Sequence, residues 1–239
     1  MCCYDIKLCK PLTPPLKKVE KILYNYKLDY MMKAETILFY IILGVVLIIC
    51  IKIYKNSDAY NLKCIISGVD GEKYCVRERA KLELAADLLA NVSKKCKELV
   101  VYVGKKYPDN EDVKRLVTKF NPTKISETLP TSEYTAYSEN KGEKLAFCLN
   151  QSKSHKEPDS KIEENTKLID LNTLTFVAIH ELSHIMTESE GHKQVFWQNF
   201  KFLLAEAKEA NIYIPVDYKK SPVPYCGMSI SDNPLYDLA

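Results

Sequence analysis

The sequence predicts an α+β domain that follows a single membrane-spanning helix near the N-terminus. Three observations support this class: an uncharged apolar run at residues 36–51, short alternating segments separated by glycine-containing turns, and apolar positions at helical spacing. With 239 residues, of which 46% are hydrophobic, the chain suits one globular core with an appendage. We divide the chain into a tail (1–35), a transmembrane helix (36–54), a linker (55–61), a folded domain (62–230) and a C-terminal tail (231–239).

The N-terminal segment, residues 1–35, carries 7 Lys against 4 acidic residues and contains three prolines. This composition predicts a disordered or loosely ordered tail. Its three cysteines, Cys2, Cys3 and Cys9, are candidates for acylation.

The apolar run from Thr36 to Ile51 holds no charge over 16 residues, and Tyr54 extends it when Lys52 directs its ammonium group toward the interface. A membrane span needs about 17–25 residues. Because no polar face appears around the helix, we expect a span rather than a core helix, and therefore a single-pass membrane protein.

The charge of the remaining chain is balanced. From Asn56 onward it carries 25 Lys and Arg against 27 Asp and Glu, so it lacks the basic field that nucleic-acid binding normally requires. The one dense basic cluster is typical of a solvated face and comprises Lys94, Lys95, Lys97, Lys105 and Lys106. A nucleic-acid partner is not expected.

The domain pattern mixes strands and helices. In chain order it predicts a hairpin at 62–66 and 73–76, a helix at 78–99, a strand at 99–103, a helix at 109–120, strands at 131–138 and 144–149, and a helix at 192–210. Residues 150–167 are predicted to form a surface loop, and residues 212–239 an irregular tail.

Five cysteines lie in the domain, an odd number that excludes complete internal pairing: Cys64, Cys75, Cys96, Cys148 and Cys226. Cys64 and Cys75 flank the predicted hairpin turn. The sequence leaves open whether these two form a disulfide or pack as free thiols.

The most informative stretch is residues 176–186, which read as an apolar helix with Asp170 or Asn172 as its N-cap. Residues four apart lie on one helix face, so His180 and His184 can direct two imidazoles at one metal ion. Glu181 lies beside them as a candidate general base. This H-E-x-x-H spacing is that of zinc peptidases.

A third ligand is expected from the turn after this helix. His192 follows a glycine and precedes Phe196 and Trp197, so a second helix can present it to the same metal. Glu188 and Glu190 lie in the same turn and are alternatives. Candidates to hydrogen-bond the ligands are Asp170 and Thr187, whereas His155 is expected at the surface.

The stretch from Asn140 to Trp197 resembles the WLM branch of the SprT-like zinc metallopeptidases. The resemblance lies in the hairpin at 140–149, the H-E-x-x-H helix, and Gly191-His192 followed by Phe196-Trp197. Residues 215–218 and 225–228 look most like WLM-domain proteins of large DNA viruses. Overall the resemblance spans about residues 75–230.

The resemblance implies a compact zincin-like fold, in which the edge strand of a small sheet lies above the H-E-x-x-H helix. It implies Zn²⁺ held by His180, His184 and His192, with Glu181 as the catalytic residue. It also implies an extended protein or peptide substrate lying along one strand, whose residues are Lys144, Leu145, Ala146, Phe147 and Cys148.

The resulting hypothesis is a membrane-anchored zinc endopeptidase in a virion or a host internal membrane. The alternative is a structural protein of the membrane or virion that keeps zinc for stability without turnover. Three tyrosines of the C-terminal segment are candidates to stabilise an oxyanion, although packing or surface exposure is the favoured explanation for each: Tyr213, Tyr218 and Tyr225.

Overall fold

A computed structural model describes residues 16–55, 62–152 and 167–237. The chain divides into two compact units, residues 1–57 and 58–239. Several predicted features lie outside the described residues: the cysteines of the first ten residues, most of the 55–61 linker, and most of the 150–167 loop with His155.

The first unit contains one helix, α1, from Leu16 to Lys55. Its segment Glu35–Ile53 has a mean hydropathy of 2.8 and is not buried, so it is long and apolar enough to cross a membrane. The predicted loose tail is wrong for residues 16–35, which are helical. Neither glycine nor proline occurs between Pro15 and Gly44, so nothing in that sequence breaks the helix.

The second unit is a mixed α+β domain built on a five-stranded sheet in the order β1-β2-β3-β5-β4. β1 and β2 are antiparallel, β2, β3 and β5 are parallel neighbours, and β4 is antiparallel to β5. The strand bounds are Leu62–Ile66 (β1), Lys73–Arg77 (β2), Ile125–Glu127 (β3), Ala136–Glu139 (β4) and Lys144–Phe147 (β5). The sequence pattern predicted four of these strands and missed β3.

Four helices pack with this sheet: Leu82–Lys106 (α2), Glu111–Lys119 (α3), Leu171–Met186 (α4) and Gln194–Glu209 (α5). The core lies around α4, which contacts α2, α3 and α5 as well as β4 and β5. Most of the α4 side chains are therefore buried.

The predicted strand at 99–103 is wrong, because these residues form the last turns of α2. Leu99, Val100 and Val103 are buried while Val101 is exposed, which is the burial pattern of a helix face. Gly104 does not end a strand either. A Cβ at this position would lie 2.9 Å from a Val117 methyl group, so the glycine permits close packing of α3 on α2.

The C-terminal segment is more ordered than predicted. It forms a hairpin of Val223–Tyr225 (β6) and Met228–Ile230 (β7), followed by a short 3-10 turn at Pro234–Tyr236. A disulfide between Cys148 and Cys226 joins the end of β5 to the hairpin turn. A second disulfide links Cys64 to Cys75 across β1 and β2, and Cys96 is a buried free thiol.

Candidate metal centre and cleft

The H-E-x-x-H residues lie on α4, as predicted. Of the two proposed N-caps, Asp170 is the one observed: its carboxylate accepts hydrogen bonds from the Thr173 backbone N–H at 2.9 Å and the Thr173 hydroxyl at 2.7 Å. This cap fixes the start of the helix. His180 and His184 then lie one turn apart on the same face.

His192 brings the third imidazole to this pair. Its Nε2 atom lies 3.1 Å from the Nε2 atom of His184 and 3.1 Å from that of His180. Gly191, with a φ of 77°, provides the left-handed backbone that turns the chain back toward α4. The structure therefore brings the three predicted ligands together.

The three imidazoles could hold one metal ion, since their candidate ligand atoms all lie within 4.8 Å of one another. Three nitrogens bound tetrahedrally to a metal at about 2.0–2.1 Å lie about 3.3 Å apart, close to the observed spacing. The donor set and its geometry therefore fit a metal ion.

Burial keeps the imidazoles of His180 and His184 in the neutral form that binds metals. It lowers the pKa of His180 to about 3, with further contributions from the neighbouring imidazoles. Burial, and then the neighbouring His192, lower the pKa of His184 to about 4. Both imidazoles are thus unprotonated at neutral pH in the metal-free protein.

The imidazoles rest on an aromatic base formed by α5. The Phe196 ring is fully buried, and its centroid lies 4.9, 4.3 and 4.7 Å from those of His180, His184 and His192. The Trp197 indole donates a hydrogen bond of 3.1 Å to the His192 carbonyl. Residues predicted only to seat the helix on the core thus also contact the three-histidine cluster.

Glu181 is 6% exposed and lies beside the cluster on α4. Burial raises the pKa of its carboxyl group to about 8. A cation at the imidazoles would favour its ionised form, so the metal-free protein and a metal-bound protein differ in the charge of this residue.

A cleft of about 1030 Å³ opens above the cluster. Its lining includes the segment 133–138, which contains most of β4, and Met228 and Ile230 of the C-terminal hairpin. On the α4 side it is lined by the largely buried Glu181 and by the imidazoles of His180 and His184, with His192 nearby. A molecule in the cleft would therefore lie against the candidate metal ligands.

The predicted substrate strand requires a correction. β5 pairs with β3 on one side and β4 on the other, so its backbone groups are already used. The side chains of Leu145, Ala146 and Phe147 are fully buried, and Cys148 is in a disulfide. None of the residues Lys144, Leu145, Ala146, Phe147 and Cys148 lies at a sheet edge or lines the cleft.

Among the strands that the structure describes, β4 forms the sheet edge beside the cleft and has no partner on its outer side. The Cys148 N–H donates to the Thr135 carbonyl, which makes this pair hydrogen-bonded and, by alternation, also the pair Tyr137 and Ala146. The backbone N–H and C=O groups of Ala136 and Ser138 therefore point away from the sheet. Sequence alone did not reveal this edge, because strand order depends on tertiary pairing.

Of the three tyrosine candidates, Tyr225 lines the cleft, whereas Tyr213 and Tyr218 are buried beside Phe176. The Tyr225 hydroxyl donates a hydrogen bond of 3.1 Å to the Thr135 carbonyl. Burial, followed by the charge of Glu181, raises its pKa. Tyr225 thus anchors the start of β4.

The other ligand and partner candidates have different roles. Glu188 is exposed, with its carboxylate 3.6 Å from the Arg115 guanidinium, and Glu190 is exposed at the cleft rim. Thr187 accepts a hydrogen bond of 3.0 Å from the Asn199 side chain. Asp170 caps α4, as described above.

Comparison with known proteins gives one informative similarity. The chain is 26% identical over 208 residues to "Uncharacterized protein R325" of Acanthamoeba polyphaga mimivirus, covering 82% of this chain and 98% of that protein. This similarity is consistent with a viral protein. No family model matches the chain, and no solved structure matches it.

Proposed function

We propose that the protein is a zinc-dependent endopeptidase of zincin-like fold, anchored by α1 to a membrane. One observation carries the proposal: three imidazole nitrogens converge beside a buried glutamate, at the floor of a cleft bordered by a free strand edge. The resemblance to WLM-type metallopeptidases supports the same reading.

The donor set favours zinc. Neutral imidazoles suit Zn²⁺, and three of them leave the ion its full charge and one further coordination position. A zinc ion held there supplies Lewis acidity to a water molecule and to a substrate carbonyl.

Glu181 is the candidate general base and acid. Its carboxylate takes a proton from the attacking water and passes it to the leaving amine of the cleaved peptide bond. It follows His180 on α4, three residues before His184, and its side chain lines the cleft. A site that only stabilised the fold would have no use for this carboxylate.

The β4 edge is the candidate substrate platform. An extended peptide that pairs with the outward groups of Ala136 and Ser138 adds one strand to the sheet. Such a strand lies in the cleft above α4, so its backbone carbonyls pass close to the imidazoles. Main-chain pairing places no requirement on the side chains of the substrate. We therefore favour unfolded or extended protein segments as substrates.

The test uses the full-length chain in detergent. We expect one zinc per chain and cleavage of an unfolded protein substrate. Glu181→Gln should keep the zinc and lose cleavage by at least about 100-fold, as is typical when a general base is removed. His180→Ala should lose both the zinc and the cleavage activity. Glu98→Gln, an exposed position on α2, serves as the matched control.

Unchanged zinc content in His180→Ala would contradict the ligand assignment. Zinc binding by the wild type without any cleavage, under conditions where the ligand variants lose metal, would favour the non-catalytic alternative instead.

A further inference from the structure

Lys141, in the turn between β4 and β5, donates hydrogen bonds to three consecutive backbone carbonyls of the loop between α4 and α5. Its Nζ atom lies 3.0 Å from the Thr187 oxygen, 3.1 Å from the Glu188 oxygen and 3.1 Å from the Ser189 oxygen. The three N–H groups of the ammonium therefore each have an acceptor. This loop carries His192.

A second cation holds the residue before these three. The Arg115 guanidinium, from α3, donates to the Met186 carbonyl at 2.6 Å and pairs with Asp112 at 2.5 Å. Four successive carbonyls, from Met186 to Ser189, are thus bound by two cations. Met186 is the last residue of α4, and the other three carbonyls belong to the segment that leads from α4 to His192.

The turn that carries Lys141 is itself fixed. Asn140 and Lys141 have φ values of 48° and 56°, in the left-handed region that glycine adopts more readily than other residues. At Gly142 a Cβ would lie 2.6 Å from the Lys119 carbonyl oxygen, and the Gly142 carbonyl accepts from the Asn121 N–H at 3.0 Å. The hairpin turn therefore packs closely against the end of α3 and is hydrogen-bonded to the residues that follow it.

Lysine is a costly choice at this turn position, because a side chain disfavours the left-handed conformation that glycine adopts freely. Local turn stability thus does not explain Lys141. Its long side chain and three donors match the three carbonyls of the ligand-bearing loop, which gives a reason for lysine at this position.

We propose that Lys141 is a positioning residue for the metal cluster: it holds the Thr187–Ser189 backbone so that His192 meets His180 and His184 before metal arrives. The inference rests on the metal site of the proposed function. It adds to that site a residue that would not itself coordinate the metal. Without the ammonium, the loop must be ordered by the metal itself, and the metal affinity falls by that ordering cost.

The test compares Lys141→Gly and Lys141→Met with wild type in the full-length protein. Zn²⁺ affinity is measured by competition with a fluorescent chelator, and the ligand geometry by the absorption spectrum of the Co²⁺-loaded protein. We expect both variants to bind Zn²⁺ about 10–100-fold more weakly, as for other residues that orient metal ligands. Lys141→Arg should recover part of this loss.

Lys141→Gly separates positioning from folding, because glycine suits the turn. We expect this variant to fold without metal, because the relief of the left-handed conformation offsets part of the cost of the three lost hydrogen bonds. Lys124→Met, which removes an exposed lysine paired with Glu143 beside the same hairpin, should leave the affinity unchanged. Zn²⁺ affinities within twofold of wild type in both Lys141 variants would overturn the proposal, as would a metal-free Lys141→Gly protein that fails to fold.

These outcomes are separate from the fate of the peptidase proposal. Weaker zinc binding in the Lys141 variants of a protein without proteolytic activity would uphold the positioning role and reject the enzyme. Unchanged zinc binding alongside loss of cleavage in Glu181→Gln would do the reverse.

Discussion

The phenyl ring of Phe196 stacks on the imidazole of His184, with 4.3 Å between ring centroids and 30° between ring planes. The same ring contacts His180 and His192. One side chain of α5 thus supports ligands from two elements. The three-histidine cluster and the hydrophobic core meet at this residue.

Replacing Phe196 should therefore affect both stability and metal binding. Phe196→Ala should lower the free energy of unfolding by about 3–5 kcal/mol, because it leaves a cavity at a fully buried position. Phe196→Leu should keep the fold and weaken zinc binding. Denaturant unfolding with a chelator, followed by zinc titration, measures the two effects. Val195→Ala, at a half-exposed neighbour, should stay within about 0.5 kcal/mol.

Glu181 should give the metal-free protein a distinctive pH dependence. Burial raises the pKa of this carboxyl from 4.5 to about 8, so between these values the folded state holds a proton that the unfolded state releases. The free energy of unfolding therefore falls as pH rises through this window, by up to about 1.4 kcal/mol per pH unit from this group.

Glutamine cannot titrate, so the stability of Glu181→Gln relative to wild type should increase between pH 4.5 and 8 by a few kcal/mol. The lowered pKa values of His180 and His184 act in the opposite direction at acidic pH, but equally in both proteins. Urea unfolding in the presence of a chelator measures the difference. A difference that does not change with pH would show that the carboxyl titrates normally.

Two proline substitutions test the β4 edge. Ser138→Pro removes an N–H that points away from the sheet, a position where proline is tolerated. It should raise KM for a protein substrate severalfold at nearly unchanged stability. Tyr137→Pro removes an N–H that pairs with Ala146 and should destabilise the domain instead. Equal KM values for Ser138→Pro and wild type would mean that the substrate does not pair with β4.

The two disulfides should differ in their contribution to stability. Their cysteines are separated by 78 residues for Cys148–Cys226 and by 11 for Cys64–Cys75. The chain-entropy model gives about 4.5 and about 2.8 kcal/mol for closing loops of these lengths. Denaturant unfolding of the two double alanine variants should follow that order. The reverse order would indicate that the unfolded chain is already compact around Cys148 and Cys226.

Charges within the apolar part of α1 should prevent membrane integration. Gly44→Arg combined with Leu47→Arg places two charges near the middle of the segment Glu35–Ile53, at about 2.5–3.5 kcal/mol each. The variant should become extractable by alkaline carbonate, whereas wild type stays with the membranes. The control, Leu23→Arg with Tyr26→Arg, changes the same helix outside this segment. Equal extraction of all three would argue against a span.

The helix that carries His180 and His184 was predictable because its signal is local. Ligand spacing, the N-cap Asp170 and the glycine before His192 all lie within about twenty consecutive residues. At residues 99–103 the local signal was ambiguous, and the prediction of a strand was wrong. A run of five apolar residues suits a strand or a buried helix equally, and packing against the core decided for the helix.

Features that depend on distant parts of the chain were not predictable. Strand order placed β4, rather than β5, at the edge, and a three-residue strand such as β3 carries no periodic signal. The bond between Cys148 and Cys226 joins segments whose partnership cannot be deduced from spacing. The contacts of Lys141 go to backbone carbonyls, which leave no trace in the identity of the residues that supply them.

The β4–β5 hairpin has two ends with different tasks. Strand β4 provides the sheet edge at Ser138. Three residues later, Lys141 in the turn hydrogen-bonds to the loop that carries His192. If a peptide bound at this edge orders β4, we expect it to order the adjoining turn as well, so that peptide binding and metal binding each strengthen the other. By thermodynamic reciprocity, the factor must be the same in both directions.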